Sequence, residues 1–271
     1  MVPLLIVKTK GCNTMHLSSL AMENLREYML YAVDLSDWYT KRIGNLVLTI
    51  NGRPDSLFNF VFCQDGDHEE SILAAKEALA YLNAEGLETT WVIDSHMKVW
   101  QDVVLHLGLS NPTKAKKMYK KIHVSQDTPK NHPGLVLEVV DTNSALVELD
   151  ELAAKIFYCN TNDLIILLRG ITRREQSRLR FFIAKLYNTV VGLCGMYVHG
   201  NVVGLYSDGI LPEYRNMGIA SEMVLRRLQM ASEQFGCTCA VAQCVTQSVS
   251  LYKRLGFRAT GDLFLYPSFS G

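Results

Sequence analysis

Arg215, Gly218 and Ala220 are the residues whose types and spacing suggest chemistry most directly. They lie in the run Ile-Leu-Pro-Glu-Tyr-Arg-Asn-Met-Gly-Ile-Ala, residues 210–220. An extended apolar segment, Val202 to Ile210, leads into a Pro/Glu/Tyr turn, and an amphipathic stretch follows. Strand, glycine turn and helix start in that order make a place for a phosphate. The first amides of a helix have no helical partner, and the helix dipole adds partial positive charge there. Gly218 removes a side chain where a diphosphate would approach, Ala220 keeps the first turn thin, and Arg215 adds a full positive charge. Glycine turns before helices are common, so this loop alone fits an ordinary strand–helix connection equally well.

A second run, Ser250-Leu-Tyr-Lys-Arg-Leu-Gly-Phe257, places a phenol, Tyr252, four residues before a glycine. Gly256 is a good helix stop and Phe257 can start the next strand. The remaining candidates have simpler readings. The seven cysteines, at 12, 63, 159, 194, 237, 239 and 244, are scattered through apolar runs. Cys237, Cys239 and Cys244 match no common zinc spacing and read as small buried residues around one strand, and no metal site is expected. Asp65, Asp67 and His68 could be imagined as metal ligands but suit a capped, solvated helix start. Arg169, Arg173, Arg174, Arg178 and Arg180 form a basic run that reads as a loop and helix end, or as a binding surface for an acidic acceptor. Trp38, Trp91 and Trp100 all fall in the N-terminal half and suit its core or a contact between halves.

Elements must position these groups. In the C-terminal half the pattern predicts a strand at Leu135–Asp141, helices over 144–157 and 162–171, and a hairpin of 178–187 with 190–199 around Asn188-Thr189. A strand to Ile210 follows, then a helix over 218–235. Its apolar positions are 219, 220, 223, 224, 228 and 231, with Glu222, Arg226, Arg227, Gln229 and Glu233 on the opposite, polar side. A strand at 239–245, a short helix at 248–255 and a last strand at 257–266 complete this half. The N-terminal half repeats the order: strand 58–62, helix 69–82, strand 90–93, helix 97–107, strand 118–124. Ser71 to Gly108 spans 37 residues and Ser221 to Gly256 spans 35, with Leu107-Gly108-Leu109 standing where Leu255-Gly256-Phe257 stands. Two copies of one α/β (α+β) fold, each a mixed, mostly antiparallel sheet flanked by helices, fit the length and the order. The expected boundaries are 1–125 and 134–271, with the proline-bearing segment 126–133 as linker. In the first copy the place of the phosphate turn is taken by Gln-Asp-Gly-Asp-His-Glu-Glu, residues 64–70. Its four carboxylates would repel a diphosphate, so one anionic ligand per chain is expected.

The 271 residues are 48% apolar, enough for a sizeable core, and 27 basic residues balance 27 acidic ones. That balance argues against a general nucleic-acid binder. No apolar run approaches the length of a membrane span, and Val2–Val7, followed by Lys8-Thr9-Lys10, reads as a first strand rather than a signal peptide. A reducing cytoplasm is the expected compartment.

With both motifs in order, the C-terminal half resembles the Gcn5-related N-acetyltransferase (GNAT) superfamily. The resemblance rests on the strand into Ile210-Leu211-Pro212-Glu213-Tyr214, on Arg215-Asn216-Met217-Gly218-Ile219-Ala220, which satisfies Arg/Gln-x-x-Gly-x-Gly/Ala, and on Leu251 to Phe257. It is strong over 202–257 and extends over 135–267. The N-terminal half is similar in element order and in Leu107-Gly108-Leu109, as in tandem members with a degenerate copy. The resemblance implies acetyl-coenzyme A, or another acyl-coenzyme A, as donor and an amine as acceptor, a small molecule or a protein, in a monomer or homodimer. It implies that amides of Met217, Gly218, Ile219 and Ala220, with Arg215 and Asn216 nearby, hold the pyrophosphate. The pantetheine arm would pair with the backbone at Ile210 and Leu211, where an N–H polarises the thioester carbonyl. Tyr252 would donate a proton or hydrogen bond to the departing thiolate and contact the cofactor arm. Many members carry an asparagine seven residues before this tyrosine; Val245 stands there instead. No motif fixes the base that takes the amine's proton. Asp208, two residues before Ile210 on the same strand face, is the candidate. The same motifs also fit a module that binds acyl-coenzyme A without turnover.

Overall fold

The computed structural model describes residues 14–54, 58–123, 127, 129, 132–157, 162–172 and 177–268. In the N-terminal half these form α1 (Thr14–Leu35), β1 (Tyr39–Ile43), β2 (Leu46–Ile50), β3 (Phe60–Cys63), α2 (His68–Ala84), β4 (Thr89–Asp94), α3 (Lys98–His106) and β5 (Thr113–Lys121). The C-terminal half follows with β6 (Leu135–Val139), α4 (Asn143–Phe157), α5 (Asn162–Thr172), β7 (Leu179–Leu186), β8 (Thr189–His199) and β9 (Val202–Ile210). A single 3₁₀ turn (Pro212–Tyr214), α6 (Ile219–Phe235), β10 (Cys239–Cys244), α7 (Thr246–Arg254) and β11 (Arg258–Ser268) complete it. Every element expected within the described residues is present, its bounds shifted by at most five residues. Sequence reading began the N-terminal pattern at Phe58, whereas the structure adds α1, β1 and β2 before it. The strand expected at Val2–Val7 and two cysteines, 12 and 159, lie outside the described residues.

Local chemistry explains the boundaries. The β7–β8 hairpin turns at Tyr187 and Asn188, both at positive φ (48° and 67°), as a two-residue loop matched to strand twist requires. Helix α6 ends at Gly236 (φ 65°), whose N–H donates to Ser232 O while Cys237 N–H donates to Ala231 O, a glycine stop of the Schellman kind.

All eleven strands form one sheet in the order β1-β2-β3-β4-β11-β5-β10-β9-β8-β7-β6. Neighbours are antiparallel except β3–β4 and β9–β10. Read outward from the central β11–β5 pair, the order is the same in both directions: β4, β3, β2, β1 on one side and β10, β9, β8, β7 on the other. The last strands are exchanged. β5, from before the expected linker, pairs with β10, and β11, the final strand, pairs with β4. The two halves therefore share one sheet, and the boundary drawn along the chain is crossed twice in space.

One face of the sheet is covered by α1, α4 and α5 over a single apolar cluster that includes Trp38, Phe62, Leu149, Phe181 and Leu263. The other face carries α6 and α7 over one cluster, and α2 and α3 over another containing Trp91 and Trp100. The three tryptophans thus serve packing, as their positions suggested. Helix α1 crosses from its own half onto β8, β9 and β10. Polar contacts fix it there: Tyr206 OH donates to Asn24 Oδ1 (2.6 Å), Gln243 Nε2 to Ala21 O (2.6 Å), and Lys117 Nζ to Ser18 Oγ (2.9 Å).

Candidate functional site

The two motifs meet where β9 and β10 separate. The strands pair in parallel from Val202 with Cys239 to Leu205 with Ala242, and no further. Beyond that point β9 bulges. Ser207 and Asp208 stand against the single residue Cys194 of β8, and Ser207 takes φ 55°, unusual for a residue with a Cβ. The bulge carries the end of β9 away from β10 and opens a fork at the strands' C-terminal ends.

Backbone directions in the fork follow from the ladder. Leu211 N–H donates to Val191 O (2.9 Å) and Leu211 O accepts from Tyr214 N–H (3.0 Å). Adjacent positions of an antiparallel ladder alternate, so Ile210 turns its N–H and C=O away from β8, toward the opening. Arg215 Nε donates to Ile210 O (3.1 Å), which holds its guanidinium beside the strand end. Of the two backbone positions expected to pair with a ligand, Ile210 faces the fork. The Leu211 N–H and C=O are hydrogen-bonded within the protein.

After Arg215 the chain turns through Asn216 (φ 63°), exposed Met217 and Gly218 (φ 81°) into α6. Gly218 is the N-cap and has no side chain to bond the first amides, and a Cβ added there would meet nothing within 4 Å. The start of α6 thus has no side-chain cap, and the Ile219 side chain is buried beneath it. The start of α2 is built oppositely. Asp67 is its N-cap and accepts from Glu70 N–H (2.8 Å), so this helix end closes on its own carboxylate. Asp67 is accounted for as a cap, and no group suited to a metal occurs among the described residues.

Tyr252 and Asp208 come together across the fork. Tyr252, buried on α7 with its ring edge-on to Phe257 (5.0 Å between centroids), donates its hydroxyl to Asp208 Oδ2 at 2.7 Å. The other carboxylate oxygen lies 2.7 Å from Arg227 Nη2, an ion pair without good hydrogen-bond alignment. Arg227 is fully buried and also donates to Gly195 O (2.6 Å) and Met223 O (3.1 Å). Burial first, then the Asp208 charge, pushes the Tyr252 phenol well above its usual value, so it is held as a proton donor.

Arg227 corrects the sequence reading, which placed it with Glu222 on the solvent side of α6. Both are buried. Glu222 pairs with Arg226 one turn on (3.0 Å), and Arg227 is neutralised by a carboxylate 19 positions away, which helical periodicity cannot show. A signal existed only in retrospect: Asp208 and Arg227 are opposite charges flanking the glycine turn. Val245, at the asparagine position, is exposed at the end of β10. The basic run does not form one surface. The Arg178 guanidinium lies over Tyr31 (4.7 Å) and that of Arg180 over Phe235 (4.7 Å), on opposite sheet faces, and Arg173 and Arg174 lie outside the described residues. Cys63, Cys194, Cys237, Cys239 and Cys244 are buried thiols outside any disulfide.

The site is thus a mixed sheet forked between two parallel strands, with a helix N-terminus that has no side-chain cap at the fork. Residues 146–257 match the acetyltransferase (GNAT) family, so the C-terminal half carries a domain of that family. In overall structure the chain is similar to a GCN5-related N-acetyltransferase from Kribbella flavida (TM-score 0.73, 14% identity, 93% of this chain and 96% of that one). It is similar as well to one from Sphaerobacter thermophilus (0.64, 11%, 83% and 77%). A tandem GNAT protein from the clavulanic acid biosynthesis pathway matches at 0.61 (12%, 83% and 78%). No curated protein matches the chain in sequence. No described helix is long and apolar enough to cross a membrane.

Proposed function

We propose that the chain is an N-acetyltransferase that moves an acetyl group from acetyl-coenzyme A directly to an amine, with one donor site per chain, in the C-terminal half. The observation that carries this reading is the contrast between two helix starts on one sheet. That of α6 is open, glycine-capped and flanked by Arg215, whereas that of α2 is closed by Asp67. The N-terminal half is then a degenerate copy that no longer holds the donor, over roughly 1–125, with 134–271 as the acetyltransferase unit.

In this assignment the amides from Met217 to Ala220, with Arg215 and Asn216, take the diphosphate. The Ile210 N–H, turned into the fork, stabilises the thioester oxygen as negative charge develops on it. Asp208 and Tyr252 form the proton-handling pair. The amine nitrogen bonds to the acyl carbon and the C–S bond breaks. Asp208 Oδ2 receives the amine's proton, and Tyr252 gives its phenolic proton to the sulfur. The hydrogen bond joining the pair then returns the proton from Asp208 to Tyr252, restoring both. Buried thiols outside any disulfide fit a reducing compartment such as the cytoplasm. No cysteine is needed as an acyl carrier, and burial holds the thiols of Cys194 and Cys244 up at about 12.

The test is acetyl-coenzyme A consumption by the full chain across a panel of amines, beside thermal stabilisation by acetyl-coenzyme A and by ATP. Turnover with at least one amine, and stabilisation by acetyl-coenzyme A but not by ATP, is expected. Stabilisation without turnover on any amine would favour a sensor or scaffold that binds acyl-coenzyme A, and equal stabilisation by ATP would remove the assignment.

A further inference from the structure

One side chain from outside both motifs reaches the diphosphate loop. His132 Nε2 lies 3.2 Å from the backbone oxygen of Met217, and Nδ1 lies 3.2 Å from Pro133 O. Both carbonyl oxygens can only accept, so the bond to Met217 O is made by the ring forms that carry a proton on Nε2, the Nε2–H tautomer and the imidazolium. The imidazole is held by a tight turn. Leu135 N–H donates to His132 O (3.1 Å), closing a turn with Pro133 in second place and Gly134 in third. Gly134 has φ 72°, the left-handed value a type II turn needs at that place. Tyr187 locks the turn from the other side. Its N–H donates to Gly134 O (2.9 Å), and its ring sits where a Cβ on residue 134 would come within 2.4 Å. His132 thus starts from a fixed backbone position, and the sequence His-Pro-Gly-Leu encodes it.

The consequence follows from the geometry of one peptide unit. The peptide group is planar and trans, so the C=O of Met217 and the N–H of Gly218 point in opposite directions. Fixing the oxygen on His132 aims the Gly218 N–H the other way. Asn216 and Gly218, both at positive φ, flank this unit, and loop backbones of this kind turn successive N–H groups toward an anion. Both residues are exposed, and Gly218 has open space where a side chain would be.

We propose that His132 is a positioning residue for the donor's diphosphate: it holds back the Met217 carbonyl so that the Gly218 amide faces the anion. The segment joining the two halves thereby sets part of the donor's affinity. This inference rests on the acyl-coenzyme A assignment above. The experiment uses the full chain with His132→Ala and His132→Gln, and two donors, acetyl-coenzyme A and S-acetylpantetheine, which lacks the diphosphate. Calorimetric binding of coenzyme A is measured beside kcat/KM for each donor. The expected result is that His132→Ala weakens coenzyme A binding about tenfold. It also lowers about tenfold the ratio of kcat/KM for acetyl-coenzyme A to that for S-acetylpantetheine. His132→Gln, whose amide can still donate to Met217 O, recovers most of both. Wild-type affinity in His132→Ala, or an equal loss with both donors, overturns the proposal. Failure of the wild-type protein to bind coenzyme A overturns the underlying assignment instead, whatever the variants do.

Discussion

Tyr252 and Asp208 are joined by a 2.7 Å hydrogen bond, and the charge on Asp208 is balanced by a buried guanidinium, so the three residues respond to substitution as a unit. Tyr252→Phe removes one hydroxyl and leaves the ring on Phe257. Turnover is expected to fall by about 10²-fold, the lower end for loss of a general acid, with acetyl-coenzyme A affinity little changed. Steady-state rates beside calorimetric binding check this, and an unaltered kcat would take the donor role from Tyr252. Asp208→Asn should harm folding as well as rate, because it leaves the Arg227 charge buried without a counter-charge. A loss of about 3–5 kcal/mol is expected for breaking a buried pair from one side, read by chemical denaturation. Tyr252 was legible in the sequence because a phenol four residues before a helix-stopping glycine is a local pattern. Arg227 was not, since a charged residue on an amphipathic helix reads as solvated until its distant partner is seen. His132 was equally silent: its partner is a main-chain oxygen 85 positions on.

At the scale of elements, the fork depends on a bulge and a cap, and each came through the sequence differently. The strand to Ile210 and the helix after Gly218 were legible because period-2 and period-3.6 patterns meet at a glycine. The bulge at Ser207 was not, because it arises from a mismatch in count between β9 and β8. The left-handed conformation of Gly218 gives a direct test. Gly218→Ala places a Cβ on a backbone at φ 81°, at a cost of about 1–2 kcal/mol, and projects it into the open space before the first amides of α6. Weaker acetyl-coenzyme A binding together with that loss of stability is expected, by calorimetry and denaturation. Retained affinity would show that the diphosphate lies elsewhere. At the start of α2, Asp67→Ala should cost about 1 kcal/mol by removing the cap, without creating a second donor site, since Asp65, Glu69 and Glu70 remain. A stoichiometry of one coenzyme A per chain in that variant checks the second half of this statement.

For the whole molecule, pairing across the sheet centre outweighs the boundary drawn along the chain. Element order and the repeat were legible from local patterns, but the exchange of β5 and β11 was not, because strand pairing at this separation leaves no periodic trace. A fragment of 134–271 loses β5 from between β10 and β11 and β4 from the other side of β11, leaving three strand edges without partners. It should aggregate when made alone, while fragments 1–125 and 134–271 produced together should associate and bind acetyl-coenzyme A. A folded, monodisperse 134–271 with full affinity would show that the exchange is dispensable. The buried titratable groups give a second global expectation. Burial raises the thiols of Cys194 and Cys244 to about 12 and that of Cys237 to about 11, and raises the phenols of Tyr206 and Tyr252 well above the ordinary range. The folded chain keeps protons that the unfolded chain has already released. The associated stability is therefore fully present below about pH 9, and it declines as pH rises through the range between the ordinary and the raised values. Denaturation midpoints measured from pH 7 to 11 should fall steadily over the upper half of that range.

The shared centre of the sheet also bears on the order in which the protein is made. The ribosome delivers the N-terminal half first, at about 5–20 residues per second. β5 can find β10 only after more than a hundred further residues have emerged, and β4 waits longer still for β11. Until then the nascent chain holds a partly built sheet with a lysine-rich strand, Thr-Lys-Ala-Lys-Lys-Met-Tyr-Lys-Lys, standing open. Repelling charges on such a strand discourage pairing with neighbouring chains during that interval. In the finished fold four of those lysines are paired: Lys114 and Lys116 with Asp262, Lys117 with Asp94, and Lys120 with Asp127.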